Sequence, residues 1–212
     1  MTELYNFRKD YKLDSLSKEE VDENPITQFK KWMDQAISFH IAEPNAMTLV
    51  TSTPDGIPSA RIVLLKSFDN DGFVFFTNYE SRKGQELAKN PNACIVFDWH
   101  LMERQVRVEG VAKKISDEES DHYFNSRPVS NQLGAWISPQ STFIDDRQEL
   151  ENRKTKIENM FQNKPISRPP HWGGYVLKPH TIEFWQGRQS RLHDRIIYIK
   201  AGKEWILRRL AP

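Results

Sequence analysis

The sequence predicts a mainly β chain with added helices, an α+β class in which an antiparallel barrel carries helices on its outside. Three observations predict it. Seven or eight short runs have strand character, mostly in neighbouring pairs. Gly, Pro, Asn and Asp turn signals separate them, and helical periodicity is confined to a few segments. At 212 residues the chain is expected to form one domain, 1–212, with residues 1–20 as a mobile N-terminal segment. No repeat, low-complexity tract or linker divides it.

The first helix is expected to open at Asn24, a good N-cap, with Pro25 at the first helical position. Ile26, Phe29, Met33, Ala36 and Ile37 then recur at helical spacing. Strands are expected over Ala46–Thr51, Ser59–Phe68 and Phe73–Asn78, separated by turns at Pro54-Asp55-Gly56 and Asp69–Gly72. Ser81–Asn90 reads as a short helix stopped by Asn90-Pro91, and strands follow at Ala93–Trp99 and Arg104–Ile115. Ser116 and Glu119 form a capping-box pattern for a helix ending near Pro128, and a further helix is read around Asp145–Gln162. Strand character returns over Gly173–Trp185, and a hairpin of Ile196–Lys200 and Glu204–Leu210 closes the chain around Ala201-Gly202-Lys203.

Composition narrows the function. Hydrophobic residues make up 38%, and 30 basic against 29 acidic residues leave a net charge of +1. A protein whose main partner is nucleic acid usually carries a clear basic excess, so no nucleic-acid partner is expected and anion binding must come from local clusters. The one cysteine, Cys94, sits among apolar neighbours, which reads as a buried strand thiol in a reducing compartment. The polar stretch 1–14 has no apolar leader and no run approaches membrane-span length. The expected location is the cytoplasm, with no membrane partner.

Familiar signatures are missing. The chain has no P-loop, no G-x-G-x-x-G and no G-x-S-x-G, and its six histidines lack metal-site spacing, so no metal is expected. Basic residues beside apolar strands stand out instead. Arg61 and Lys66 bracket the run Ile62-Val63-Leu64-Leu65, and strict alternation puts the two cations on opposite faces. Ser81-Arg82-Lys83 precedes a helix, where free N–H groups and two cations suit a phosphate. Taken singly, each reads equally well as a solvated charge. Arg191, His193 and Arg195 would share one face of an extended chain; their like charges would repel and depress protonation of His193, and an anionic ligand would relieve this. Tyr123, Arg127, Asn131 and Gln132 form a third cluster near Pro128, followed by Gln140-Ser141. Tyr123 also reads as core, Arg127 as a favourable helix-end cation and Asn131 as an N-cap.

These stretches together resemble the pyridoxamine/pyridoxine 5′-phosphate oxidase family. Ile182-Glu183-Phe184-Trp185-Gln186 leading to Arg191-Leu192-His193-Asp194-Arg195 is similar to the family's C-terminal signature. Arg61 to Lys66, Phe75–Asn78, Ser81–Lys83, Glu103–Val106, Tyr123–Pro128, Gly134–Trp136 and Arg209–Pro212 match along nearly the whole chain. The resemblance implies an FMN-binding split β-barrel, a homodimer with sites where the subunits meet, and oxidation of pyridoxamine 5′-phosphate or pyridoxine 5′-phosphate by molecular oxygen. It implies Arg61, Arg82, Lys83 and Ser141 as ligands of the FMN phosphate. Phe76, Thr77, Gln105, Gln140, Trp185 and Arg195, with the stretch Ile62, Val63, Leu64, Leu65 and Lys66, would hold the rest of the cofactor. Lys66, Tyr123, Arg127 and Asn131 would take the substrate phosphate. Arg191 and His193 would stand beside the reacting carbon, and Arg8 and Tyr11 in a segment that closes over the substrate. A site shared by two chains would also accommodate the opposite faces of Arg61 and Lys66. Two positions depart from the pattern: Asn131 stands where Ser is common, and Phe76 where Tyr is often found.

Overall fold

Among the residues covered by this computed structural model, 3–6 and 9–212, helix starts follow local chemistry. The Asn24 side chain accepts the Ile26 N–H at 2.8 Å and opens α1 (Pro25–Ser38). Ser81 caps α2 (Arg82–Lys89). Ser116 and Glu119 exchange capping bonds of 3.1 and 3.0 Å at the start of α3 (Asp117–Ser126). Asp146 caps α5 (Arg147–Met160) through the Glu149 N–H. Between α3 and α5 lies α4 (Val129–Ile137), a helix the sequence reading lacks.

The strands are β1 (Ala46–Ser52), β2 (Pro58–Leu64), β3 (Ser67–Asp69), β4 (Gly72–Asn78), β5 (Asn92–Trp99), β6 (Arg104–Lys114), β7 (Trp172–Gln186), β8 (Asp194–Ala201) and β9 (Glu204–Leu210). The single strand expected over Ser59–Phe68 is therefore two. It breaks at Leu65-Lys66, where Leu65 is buried and the Lys66 N–H turns to the Val74 carbonyl at 2.9 Å. The extended reading of Arg191–Arg195 also needs correction. Gln189–Arg191 is a 3-10 turn with Ser190 and Arg191 at φ 55° and 62°, and extended backbone resumes at Asp194.

The chain forms two compact units, each from non-contiguous segments. The first holds the described residues through Leu49 with Cys94–Gly110 and Pro179–Pro212. Here α1 buries Phe29, Trp32, Met33 and Ala36; Phe29 lies 5.0 Å from Phe97 and Trp32 meets Phe184 edge-on at 5.1 Å. Burying a large apolar side chain such as Phe29 contributes roughly 1.5–3 kcal/mol. β7 pairs antiparallel with β8 (Glu183↔Ile197, Trp185↔Arg195), and β8 with β9 across the Gly202 turn at φ +65°.

The second unit comprises Val50–Ala93 and Val111–Lys178. β4 pairs with β3 and with the start of β7 (Phe73↔Leu177, Phe75↔Tyr175, Thr77↔Gly173). Phe73, Phe75, Phe124 and Leu177 are fully buried there. Gly84 lets α2 approach the chain before it: a Cβ at that position would lie 2.2 Å from the Tyr79 carbonyl oxygen. No helix among the described residues is long and apolar enough to cross a membrane.

Candidate functional site

The second unit contains a cavity of about 800 Å³. It is lined by Arg61, Ile62, Val63, Leu64, Lys66, Phe76, Thr77, Arg82, Lys83, Tyr123, Arg127, Asn131, Gln140 and Ser141, all positions singled out in the sequence. Leu65 is buried and is not among the lining residues. Arg61 and Lys66 share this cavity within one chain. Their opposite faces are resolved by the strand break at Leu65-Lys66, and this pair needs no second subunit. Asn131 lines the wall from the first turn of α4 and is not an N-cap; Pro128 occupies that position.

Contacts sort the cations into two sets. In one, β2 supplies Arg61, and the start of α2 supplies Arg82 and Lys83. Arg61 donates to Thr51 at 2.6 Å and to Ser59, and Arg82 Nε donates to Glu86 at 2.9 Å. Lys83 is buried, donates to Gln140 at 2.9 Å and Ser81 at 3.2 Å, and has no carboxylate within ion-pair range among the described residues. Burial first, then the Arg61 charge, push its pKa down to about 8. In the other set, an aromatic stack carries the charge. Phe76 and Tyr123 stack at 3.9 Å, Phe76 and Trp172 at 5.4 Å, Lys66 Nζ lies 5.9 Å from the Tyr123 ring, and the Arg127 guanidinium lies 4.5 Å from the Trp172 ring. Burial lowers the Arg127 pKa. Its Nη1 is the one buried side-chain nitrogen or oxygen among the described residues without a hydrogen-bond partner. An orphaned donor on a half-buried cation is costly unless an acceptor arrives.

The first unit gathers the other predicted residues. Trp185 and His193 lie 4.6 Å apart, and Tyr11 meets both edge-on at 5.8 and 5.7 Å; Arg191 lines the same recess. Gln105 lines a neighbouring recess with Tyr11 and Trp185. The His193 Nδ1 accepts the Arg188 N–H at 3.1 Å. Burial and then the Arg191 charge lower the His193 pKa; Arg195 has no part in that, because it is paired with Glu183 at 2.7 Å. The approach to this recess is pinned: the buried Glu103 carboxylate accepts the Lys12 and Leu13 N–H groups at 2.8 and 3.0 Å. Arg8 lies outside the described residues.

Some site residues escaped the sequence reading. Trp172, Ser59, Ser130 and Ser138 line the cavity, and Glu86 and Thr51 support its arginines. For Trp172 no local signal distinguishes a cation platform from core. For Glu86 the i,i+4 spacing from Arg82 was available.

Comparison with known proteins decides the family. Residues 33–161 match the family model described as pyridoxamine 5′-phosphate oxidase, and residues 172–212 match that of the pyridoxine 5′-phosphate oxidase C-terminal dimerisation region. The chain belongs to the pyridoxamine 5′-phosphate oxidase family. Membership makes it an oxidoreductase. A protein of Nostoc sp. (strain PCC 7120) named pyridoxine/pyridoxamine 5′-phosphate oxidase is 57% identical over 210 residues, covering 99% of this chain and 98% of its own. A protein of the same name from Cupriavidus necator is 54% identical over 213 residues, covering all of both chains. Among solved structures, PhzG from Burkholderia lata 383, in complex with tetrahydrophenazine-1-carboxylic acid, superposes with a TM-score of 0.88 at 32% identity, over 94% of this chain and 99% of that one. A pyridoxamine 5′-phosphate oxidase-related, FMN binding protein from Nostoc punctiforme shares the fold, with a TM-score of 0.68 at 18% identity over 87% of this chain and 97% of its own. The fold is thus the mainly β, α+β split-barrel fold expected of the family.

Proposed function

We propose that this protein is an FMN-dependent oxidase that converts pyridoxamine 5′-phosphate or pyridoxine 5′-phosphate to pyridoxal 5′-phosphate, with molecular oxygen reduced to hydrogen peroxide. The observation that carries this reading is one cavity with two sets of cations that the protein itself under-neutralises: buried Lys83 without a carboxylate, and Arg127 with an orphaned Nη1. Cofactor and substrate each bring a phosphate, and charge-assisted hydrogen bonds to phosphate are roughly twice as strong as neutral ones.

The residues present fit FMN. Arg61, Arg82, Lys83 and Ser141 would hold its phosphate at the start of α2, with Gln140, Phe76 and Thr77 along its length. FMN supplies the electron-accepting chemistry that no side chain offers. Lys66 and Arg127 would bind the substrate phosphate by charge, with the Tyr123 hydroxyl and the Asn131 amide adding neutral contacts. In the first unit, Arg191 orients the substrate and stabilises charge beside the reacting carbon. His193 is neutral at pH 7, and with Nδ1 accepting from Arg188 its proton resides on Nε2. It therefore orients by donating. Arg195 and Gln105 would complete the cofactor contacts, and Tyr11 would cover the substrate.

The dimerisation-region match supports a homodimer, and we read each active site as drawing on both chains. The enzyme would act in the cytoplasm. A second reading, a site for a fused-ring carboxylic acid such as the tetrahydrophenazine-1-carboxylic acid in the PhzG complex, draws on the likeness to that protein. It gives no use to Lys66, Tyr123 and Arg127 together. Acid release of the chromophore from purified protein tests the proposal: FMN, one per chain, is expected, while FAD or no flavin would remove its basis.

A further inference from the structure

We propose that Glu86 is the positioning residue of the cofactor-phosphate corner, holding Arg61 and Arg82 together so that both address one anion. The inference rests on the reading of Arg61, Arg82 and Lys83 as FMN-phosphate ligands.

Three separate segments converge on this carboxylate. From its own helix, one turn back, Arg82 Nε donates to it at 2.9 Å. From β2, Ser59 Oγ donates at 2.5 Å and Arg61 Nη2 stands at 3.6 Å. From β1, Thr51 Oγ1 donates at 2.5 Å while accepting Arg61 Nη1 at 2.6 Å. Glu86 is 5% exposed and is not among the residues lining the cavity, so it acts through the arginines and not on the ligand. Burial pushes its carboxyl up, but the bonds from Ser59, Thr51 and Arg82 more than reverse this and hold it at about 2, so it stays charged throughout the neutral range.

A buried carboxylate behind an anion site looks counterproductive, since by charge alone it repels phosphate. Its value lies in the neighbours. Burial, with the Arg82 charge adding to it, lowers the Arg61 pKa, and burial with the Arg61 charge lowers that of Lys83. Without a counter-charge the two guanidiniums would separate into solvent. With Glu86 in place they are fixed before the ligand arrives, so less orientation is lost on binding. Three cations and one carboxylate leave two positive charges, which matches a phosphate monoester of about −1.5 to −2.

The two views of Glu86 differ in sign, and this makes the test sharp. Apo-protein is titrated with FMN and, separately, with riboflavin, following flavin fluorescence. For Glu86→Gln, positioning predicts FMN binding weaker by about tenfold, the scale of one charge-assisted hydrogen bond, with riboflavin affinity unchanged. Thr51→Val, buried and nearly isosteric, removes hydrogen bonds to both Glu86 and Arg61 and should lose up to about tenfold for FMN alone. FMN binding as tight as wild type or tighter in Glu86→Gln overturns the inference. So does an equal loss for FMN and riboflavin, which would mark a merely structural role. If Glu86→Gln does not fold, Thr51→Val is judged by the same criteria. Wild-type protein that fails to prefer FMN over riboflavin would instead refute the phosphate reading beneath it.

Discussion

Arg127 and His193 each stand against a tryptophan ring, one in each unit, at 4.5 Å from Trp172 and 4.6 Å from Trp185. Their polar atoms are treated differently. Arg127 keeps a buried Nη1 without a partner, whereas the His193 Nδ1 is satisfied by the Arg188 backbone. The second unit leaves charge unspent in a cavity, which suits capture of anions. The first unit fixes a neutral ring in one tautomer among aromatic neighbours, which suits orientation. On the proposed function, binding energy and alignment would fall to different parts of the chain.

The largest expected effect comes from removing unspent charge. Arg127→Ala should raise KM for pyridoxine 5′-phosphate by about 10- to 100-fold, the range of a hydrogen bond to a charged group, with FMN retained. Steady-state kinetics on the yellow protein would show it. A KM within threefold of wild type would mean that the orphaned guanidinium has no ligand.

Lys83 sharpens the same side of the comparison through pH. In the free cavity it titrates at about 8 and when unfolded near its ordinary 10.5. A neighbouring phosphate favours the charged form and raises the pKa, so above pH 8 binding takes up a proton. FMN affinity should be flat from about pH 7 to 8, where the phosphate is already dianionic, and fall as pH rises further. Lys83→Met should bind FMN about tenfold more weakly at pH 7 and lose that slope. A variant with the wild-type slope would assign the titration elsewhere.

Variants at Arg191 and His193 should spare the cofactor. Arg191→Ala is expected to lower kcat by about tenfold or more with flavin still bound, and His193→Ala somewhat less. Arg191→Ala should also shift any acid limb of kcat/KM that His193 sets to higher pH, because the nearby cation that disfavours the imidazolium is gone. Loss of the yellow colour in either variant would show that these residues serve the flavin instead.

How much of this was legible beforehand depends on whether the signal was local. Asn24-Pro25, Ser81 and the Ser116/Glu119 pair carry their partners within four residues, and all three helices start where expected. The break at Leu65-Lys66 is tertiary. Arg61 to Lys66 alternates like an unbroken strand, and only burial of Leu65 with the Lys66 bond to Val74 redirects it. Helix α4 was obscured because Arg127-Pro128 reads as a stop, Pro128 gives no side-chain cap, and no α4 residue is fully buried. Of the site, charged residues were legible by type and spacing. Trp172 was not, since its role exists only through the arginine it touches in space; for Glu86 only the i,i+4 pairing with Arg82 was, while its bonds from Thr51 and Ser59 and its pairing with Arg61 are tertiary.

The smallest effect belongs to Asn131, exposed on the first turn of α4. Asn131→Ser exchanges one neutral contact for another, worth about 0.5–1.5 kcal/mol, so phosphate affinity should change by tenfold at most. A larger change, measured as KM for pyridoxine 5′-phosphate, would make Asn131 a determinant of the substrate.

The most direct measurement is to add pyridoxamine 5′-phosphate, and in parallel unphosphorylated pyridoxamine, to the purified yellow protein in air. Pyridoxal 5′-phosphate and hydrogen peroxide should form in equal amounts, with the unphosphorylated amine about 100-fold or more less efficient, as expected if two charge-assisted contacts are lost. No product, or equal efficiency on both amines, would contradict the assignment of the cavity to two phosphates.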